Sequence, residues 1–205
     1  MADDMAQLLV HLPDPIARQS WLRDGLVQEC VADWYLPAGA RLGAAGRAAA
    51  LQVALPGIDL TGRAVIVAES AAWVYAGCGA APLPLRISDP RHRYRSEGAL
   101  IVHHFTAQEA IFRVGGYRIS APSRAARECL LRASGSSQPP SARHRARECA
   151  RRLFATGFVS PPEAERELRS VYRGRRLARG LELLAELTAG LSQPDVTPPA
   201  SQMPW

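Results

Sequence analysis

A chain of 205 residues can bury one core of domain size with small appendages, but not two full domains. Its composition, 47% hydrophobic and 21% charged, is ordinary for a soluble globular protein. The sequence has no run of about eighteen apolar residues that could span a membrane. Its first residues include acids where a secretory signal would be basic. We therefore expect a cytoplasmic protein with no membrane partner.

The basic residues are all of one type. All 25 are arginine, and the sequence contains no lysine. A Walker A phosphate-binding loop, a Schiff-base enzyme and the common metal-dependent nuclease core each require a lysine, so the sequence excludes these classes. A genome rich in G and C would explain the bias, and the chemical exclusion holds whatever its origin.

Positive charge is concentrated in the C-terminal third. Between Ser141 and Glu182 there are eleven arginines and five acids, a balance of +6 that equals the net charge of the whole chain. Arginines that neutralise phosphates release counterions, so such a region favours polyanions. A solvated helix face would also explain the pattern.

The N-terminal segment predicts two helices and a hairpin. Residues 3–12 read as a short helix with acids in its first turn, where they suit the helix dipole. Asp14 and Pro15 are typical of the N-cap and first position of a second helix, which ends before Gly25. Residues 26–37 place apolar residues on both sides of a polar turn, a pattern that indicates a hairpin or wing.

The middle of the chain mixes helix and strand patterns. An alanine-rich helix is predicted over 44–54. A buried strand over Ala64–Ala68 leads into a short helix from Ser70 to Tyr75, with Ser70 as its cap. Further predictions are strands over 83–89 and 99–105, a polar loop over 89–98, a Gly-Gly hairpin over 112–120 and a helix over 122–133.

The C-terminal part predicts helices and a tail. A linker rich in Ser and Pro occupies 134–142. One basic helix follows over 142–157, and another opens at Ser160 with a break near Gly174. The tail 191–205 has the composition of a disordered segment.

The tetrapeptide Ala-Arg-Glu-Cys occurs twice, at 126–129 and 146–149. On a helix its cysteine would turn inward and its arginine outward, so we interpret the repeat as two amphipathic helices of similar composition. The second is the more basic and the better candidate to bind phosphate or an acidic partner. A zinc site formed by Cys129, Cys149 and His144 is disfavoured by the long spacing and the absence of a CxxC pair.

No group of residues indicates catalysis. His103 and His104 are adjacent on a predicted strand, so they point to opposite faces and cannot bind one metal. Ser70 lacks the Gly-x-Ser-x-Gly elbow, and nothing joins Glu69 and Asp89 into an acid–base pair. We therefore predict that the protein is not an enzyme and uses no cofactor or metal.

A family resemblance appears in the middle of the chain. The order of strand, "ESAAWVYAG", strands, "VGGYRIS" and "APSRAARECL" resembles the AbiEi-type family of antitoxins and transcriptional regulators from type IV toxin–antitoxin systems. The similarity covers roughly 44–133. The matching positions are Ser70, Ala71, Ala72, Trp73, Gly77, Gly116, Pro122, Arg124 and Glu128. The resemblance implies an N-terminal winged helix-turn-helix that binds operator DNA.

The sequence departs from the family pattern at several places. Residues 1–37 have room for two helices and a wing, where a full winged helix usually has three helices. Some members carry an endonuclease-like domain, and only a Pro-rich segment follows Gly190 here. Glu69 stands where relatives often have His or Arg, and Ala121 replaces the usual Ser before Pro122. We expect a shortened, diverged member.

These patterns together predict an α+β fold with a small N-terminal winged-helix-like element, a central mixed α/β core and C-terminal basic helices. The predicted segments are a reduced winged-helix-like segment (1–42), an antitoxin-like core (43–133), a linker (134–142), a basic helical segment (143–190) and a disordered tail (191–205).

Two functions fit these observations. The first is a DNA-binding transcriptional regulator of antitoxin type, in which α-helical residues contact the operator and its backbone. Its predicted DNA contacts are Arg18, Gln19, Arg23, Arg143, Arg145, Arg147, Arg151 and Arg152. The second is a protein-interaction module that binds a partner, such as a toxin, without specific DNA reading. The sequence determines neither the operator, the partner nor the oligomeric state.

Overall fold

The computed structural model describes residues 7–77, 79–89, 95–97, 100–103 and 111–189. Within these ranges the backbone forms seven helices and nine strands, and the strands belong to two separate sheets. The predicted α+β class is confirmed. His104 and the tail 191–205 lie outside the described residues.

A small sheet and one helix form the N-terminal element, residues 10–37. Its parts are β1 (Val10–His11), α1 (Pro15–Arg23), β2 (Val27–Val31) and β3 (Trp34–Pro37). Strand β3 lies between β1 and β2 and runs antiparallel to both. The second helix and the hairpin are confirmed. Asp14 is the predicted N-cap, because its Oδ1 accepts a hydrogen bond from the backbone N–H of Ile16 at 3.0 Å.

The helix predicted over 3–12 is wrong in its described part. Val10 and His11 instead form an edge strand paired with Tyr35 and Trp34 of β3. The rings of His11 and Trp34 also stack, with their centroids 4.7 Å apart. Pairing with a distant strand prevails here because a short isolated helix is only marginally stable in water.

The second sheet has six strands in the order β6-β7-β5-β4-β9-β8. They are β4 (Val65–Ile66), β5 (Leu85–Ser88), β6 (Arg95–Glu97), β7 (Leu100–His103), β8 (Ile111–Val114) and β9 (Tyr117–Ser120). The pairs β4–β9 and β5–β7 are parallel, and the other pairs are antiparallel.

The polar loop predicted over 89–98 is wrong at Arg95–Glu97. That segment is the outer strand of the sheet, and its backbone pairing with β7 does not depend on an apolar sequence.

The Gly-Gly hairpin predicted between β8 and β9 is confirmed. Gly115 and Gly116 have φ angles of +58° and +90°, which side chains rarely tolerate and which a two-residue hairpin turn requires. A Cβ on Gly115 would also lie 2.8 Å from the Cβ of Ala45. The turn therefore packs closely against the helix that contains Ala45.

Six further helices complete the described structure. They are α2 (Ala44–Ala54), α3 (Ala68–Ala76), α4 (Pro122–Ser134), α5 (Pro140–Ala155), α6 (Pro161–Val171) and α7 (Gly174–Thr188). The predicted break near Gly174 is confirmed. Residues 135–139 form the connection predicted over 134–142. In the described part of the chain, no helix has the length and apolar composition needed to cross a bilayer.

One hydrophobic core joins both sheets to the helices. It extends from Cys30 of β2 to Leu187 of α7 and includes residues of all the helices from α2 to α7. Helix α3 lies within it, because every residue from Ala68 to Tyr75 is buried. A helix buried on all sides must obtain its polar contacts from the protein.

The two ends of α3 are held by charged side chains from other helices. At its N-terminus, the backbone N–H of Ala68 donates to Oε2 of Glu128 on α4 at 3.0 Å. At its C-terminus, the guanidinium of Arg47 on α2 donates to the carbonyl oxygens of Val74 and Tyr75, both at 2.9 Å. These contacts satisfy terminal backbone groups that have no partner within the helix.

Two polar side chains of α3 attach it to its neighbours. The prediction of Ser70 as a helix cap is wrong, because α3 begins at Ala68 and the Ser70 Oγ accepts a hydrogen bond from the Arg86 backbone N–H at 2.8 Å. The carboxylate of Glu69, 4% exposed, contacts Nε of Arg86 at 2.9 Å and Nε of Arg132 at 2.8 Å. Glu69 thereby connects α3 to both β5 and α4.

We expect the substitution Glu69→Ala to lower the free energy of unfolding by about 3–5 kcal/mol, because it removes a carboxylate shared by two arginines in the core. Urea unfolding followed by circular dichroism measures this loss. Glu165→Ala is the matched control, since Glu165 pairs with Arg169 four residues along an exposed face. That variant should lose less than about 0.5 kcal/mol. Equal losses in the two variants would contradict the role assigned to Glu69.

Candidate nucleic-acid interface

The residues of α1 that were predicted to contact DNA lie on two different sides of the helix. Gln19 and Arg23 are exposed and four residues apart, so they share one face. Ile16, 79% exposed, lies on the same face. Arg18 is directed elsewhere: its guanidinium lies 2.8 Å from Oδ1 of Asp33 in the β2–β3 turn. The outer face of α1 is exposed, although the Nε of Arg23 lies 3.2 Å from Oδ1 of Asp24. Arg18 forms an intramolecular ion pair instead.

The arginines of α5 also divide into two groups. Arg147 donates to Oε2 of Glu186 on α7 at 3.0 Å. Arg151 and Arg152 both contact Glu148 on their own helix, and the guanidinium of Arg151 holds the pKa of the Glu148 carboxyl below its usual value. These three arginines are thus paired with carboxylates, which reduces the charge they offer to a ligand.

Two arginines of α5 remain without such a partner. Among the residues that the structure describes, no carboxylate pairs with Arg143 or Arg145. Both side chains are half-buried, and the Nε of Arg143 is buried without a hydrogen-bond partner in the described structure. Their charge is the part of the α5 charge that is available to an anion.

A concave surface of about 920 Å³ brings α1 and α5 together. We call it the α1–α5 groove. Four of the predicted contact residues line it, although the chain separates them by more than a hundred residues: Arg18, Gln19, Arg145 and Arg152. The other four predicted residues, Arg23, Arg143, Arg147 and Arg151, do not line it. The structure therefore unites half of the predicted set in one place.

The charge on the α1 side of the groove is not positive. Between residues 7 and 42 there are four carboxylates and three arginines. Two of these carboxylates, Glu29 and Asp33, line the groove itself, as does Glu148 from α5. Any affinity of this surface for phosphate must therefore come from α5, where Arg145 is the lining arginine without a described carboxylate partner.

Aromatic and apolar side chains that the sequence did not mark as contact residues also line the groove. Trp73 of α3 and Tyr35 of β3 lie on its wall, together with Leu83. The Trp73 ring is fixed because its Nε1 donates to the carbonyl oxygen of Gly79 at 3.2 Å. Trp73 belonged to the sequence motif, but nothing in the sequence showed that it would face α5.

The repeated Ala-Arg-Glu-Cys sequence places two thiols side by side. A contact with the Cys149 thiol, together with burial, holds the pKa of Cys129 well above its usual range. Cys129 is fully buried, whereas Cys149 is half-buried and lines the α1–α5 groove. His144 is exposed, and among the described residues no three His, Cys, Asp or Glu side chains converge to hold a metal ion.

We expect Cys149 to react with iodoacetamide faster than Cys129 or Cys30. Only thiolates react, and burial raises the pKa of Cys30 to about 11, which leaves about one thiolate in a thousand at pH 8. Limited labelling at pH 8, followed by trypsin and mass spectrometry, separates the three sites in peptides 148–151, 128–132 and 24–41. Unfolded protein, labelled at all three sites, is the control. Equal labelling of Cys129 and Cys149 in the folded protein would contradict this placement.

Comparison with known proteins assigns no family. No family model matches the chain, and no curated protein matches it. The resemblance to the AbiEi-type family therefore stays a prediction from the sequence, and any function must be argued from the geometry of the groove and its surroundings.

Proposed function

We propose that the protein is a DNA-binding transcriptional regulator of antitoxin type, without catalytic activity, that acts in the cytoplasm. The observation that supports this proposal is the α1–α5 groove, which joins the exposed helix α1 to the basic helix α5. In this proposal α1 provides sequence preference and α5 provides affinity for the DNA backbone.

The surroundings of α1 suit a helix that enters a DNA groove. No residue of α1 is fully buried, and its outer face offers Gln19 and Arg23, side chains that can contact base edges. The helix lies beside an antiparallel hairpin formed by β2 and β3. This arrangement is consistent with the reduced winged-helix-like element that the family resemblance implies.

Backbone affinity would depend on α5. Carboxylates outnumber arginines around α1, so the N-terminal element alone does not attract a polyanion. Arg145 lies across the groove from α1, and no described carboxylate competes for its guanidinium. A DNA strand that follows the groove would meet Arg145 after leaving α1.

A protein partner is the second candidate, and the exposed apolar side chains of the N-terminal region favour it. Ile16 is 79% exposed and Leu26 is 57% exposed, and Leu8 and Trp21 are also large, apolar and exposed. Exposed apolar side chains flanked by carboxylates are typical of protein interfaces rather than of surfaces that face phosphates. In this alternative the N-terminal region would bind a partner such as a toxin.

The two candidates are separated by a binding experiment. The purified protein is titrated into a labelled fragment of its own upstream region and into a scrambled fragment of equal length, each at 50 and 200 mM salt. A preference for its own fragment that persists at the higher salt supports the regulator. Equal, salt-sensitive binding to both fragments, or no binding, favours the protein partner, which co-purification with the neighbouring gene product would test.

We expect Arg145→Gln to weaken DNA binding several-fold at low salt and to reduce the salt slope by about one, because one phosphate contact is lost. Fluorescence anisotropy across a salt series measures both quantities. Arg147→Gln is the matched control: it changes the same charge on the same helix, but Arg147 is engaged with Glu186. Its affinity should change less than twofold. Equal effects of the two substitutions would show that only net charge matters and would contradict a DNA surface at the groove.

A further inference from the structure

A second concave surface lies at the opposite end of α3, between α4 on one side and α6 and α7 on the other. We call it the arginine cleft, and its volume is about 1320 Å³. Its arginines come from α4 and from the first half of α7: Arg124, Arg127, Arg132, Arg175, Arg176 and Arg179. Two glutamates, Glu128 and Glu167, are the acids of its lining, so its arginines exceed its acids by four. Glu69, which does not line the cleft, engages one of these arginines, Arg132.

The arginines of α4 form the inner wall of the cleft. The side chains of Arg124, Arg127 and Arg132 are only 7%, 13% and 17% exposed. Arg124 contacts Glu128 at 2.9 Å, and Arg127 contacts Glu167 at 3.1 Å. These ion pairs fix the guanidinium groups in position before any ligand binds.

The inner wall encloses two guanidinium Nε atoms, those of Arg127 and Arg132, and the second contacts Glu69 at 2.8 Å. The Nε of Arg127 is buried and has no hydrogen-bond partner in the described structure. Because protein encloses that nitrogen, a ligand in the cleft would meet Arg127 through its terminal nitrogens instead. These lie 3.1 Å from Glu167 and 3.8 Å from Glu128, so the two carboxylates hold the guanidinium in the wall.

The arginines of α7 form the outer wall. Arg175, Arg176 and Arg179 are exposed, and none pairs with a carboxylate in the part of the chain that the structure describes. The Arg176 guanidinium lies over the Tyr172 ring, 4.8 Å from the ring centroid. This contact orients the guanidinium without neutralising its charge. Arg175 and Arg179 are four residues apart and share one helix face. The uncompensated charge of the cleft is thus concentrated here.

We propose that the arginine cleft binds a small ligand that carries two or more phosphate groups. Planar guanidinium groups bind phosphate oxygens in pairs, and the two walls present such groups from opposite sides. A typical small-ligand pocket has about 300–1,000 Å³, so the cleft has room for a polyphosphate and its water. A DNA duplex suits it less, because the recessed side chains of α4 lie below the surface that a duplex could touch.

Isothermal titration calorimetry with inorganic tripolyphosphate in 150 mM NaCl tests this proposal. We expect saturable binding of one tripolyphosphate per chain. The double variant Arg175→Gln/Arg179→Gln should weaken it at least about tenfold, through loss of two charge-assisted contacts. Both side chains are exposed, so the fold should be retained, as a urea unfolding midpoint would verify. Arg41→Gln/Arg63→Gln, which removes two exposed arginines outside the cleft, is the matched control and should bind like the parent.

Three outcomes would overturn the proposal. The first is an absence of saturable binding to the parent protein. The second is an equal loss in the Arg41→Gln/Arg63→Gln control, which would indicate attraction by net charge alone. The third concerns the variant Arg175→Gln/Arg179→Gln. If its affinity for a labelled DNA duplex falls as much as its affinity for tripolyphosphate, the cleft belongs to a nucleic-acid surface.

Discussion

The structure depends on one constraint: every residue of α3 from Ala68 to Tyr75 is buried, so the polar groups of this helix find their partners in the protein. Glu128 accepts from the Ala68 N–H at one end, and Arg47 donates to two carbonyls at the other. Both are charged groups brought from helices distant in the sequence. A charged donor or acceptor forms a stronger hydrogen bond than a neutral one in such surroundings, and it also suits the partial charge of each helix end. The orientation of α2 and α4 relative to α3 follows from these two contacts.

The same constraint explains two local features of the backbone. Ala68 has a φ of +50°, a conformation that costs about 1–2 kcal/mol for a residue with a Cβ. The hydrogen bond from its N–H to the Glu128 carboxylate offsets that cost. At the other end of α3, Gly77 has a φ of +39°, and a Cβ there would lie 2.3 Å from Nη1 of Arg47, so a side chain would displace the guanidinium from its position at the Val74 and Tyr75 carbonyls. The glycine of the sequence motif is thus required by Arg47, and the strain at Ala68 is tolerated because of Glu128.

Local chemistry made several elements predictable. Asp14 and Pro15 begin α1, and Gly115 and Gly116 form a hairpin turn. The helices from α2 to α7 also have recognisable sequence patterns. These elements are predictable because capping, breaking and turn residues act over only a few positions. Strands β1 and β6 were missed because their stability comes from pairing with distant strands.

The candidate sites were the least predictable part. The arginines could be counted from the sequence, but which carboxylate each one meets depends on the packing of helices, as for Arg147 and Glu186.

This pairing distributes the uncompensated arginines of the basic segment over two separate surfaces. Helix α5 carries five arginines, yet Glu148 and Glu186 engage three of them. Of the other two, Arg145 lines the α1–α5 groove and Arg143 does not. The arginines of α7 are engaged by no described carboxylate, so the larger surplus lies in the arginine cleft. The two surfaces share no lining residue. The cleft meets α3 at Ala68 and the groove meets it from Ala72 onward, about 6 Å further along the helix axis. Because α3 is held at both ends by ion-assisted hydrogen bonds, it forms a rigid connection between them. The cleft and the groove are also joined by the ion pair between Arg147 of α5 and Glu186 of α7, so three helices, α3, α4 and α7, connect the two surfaces.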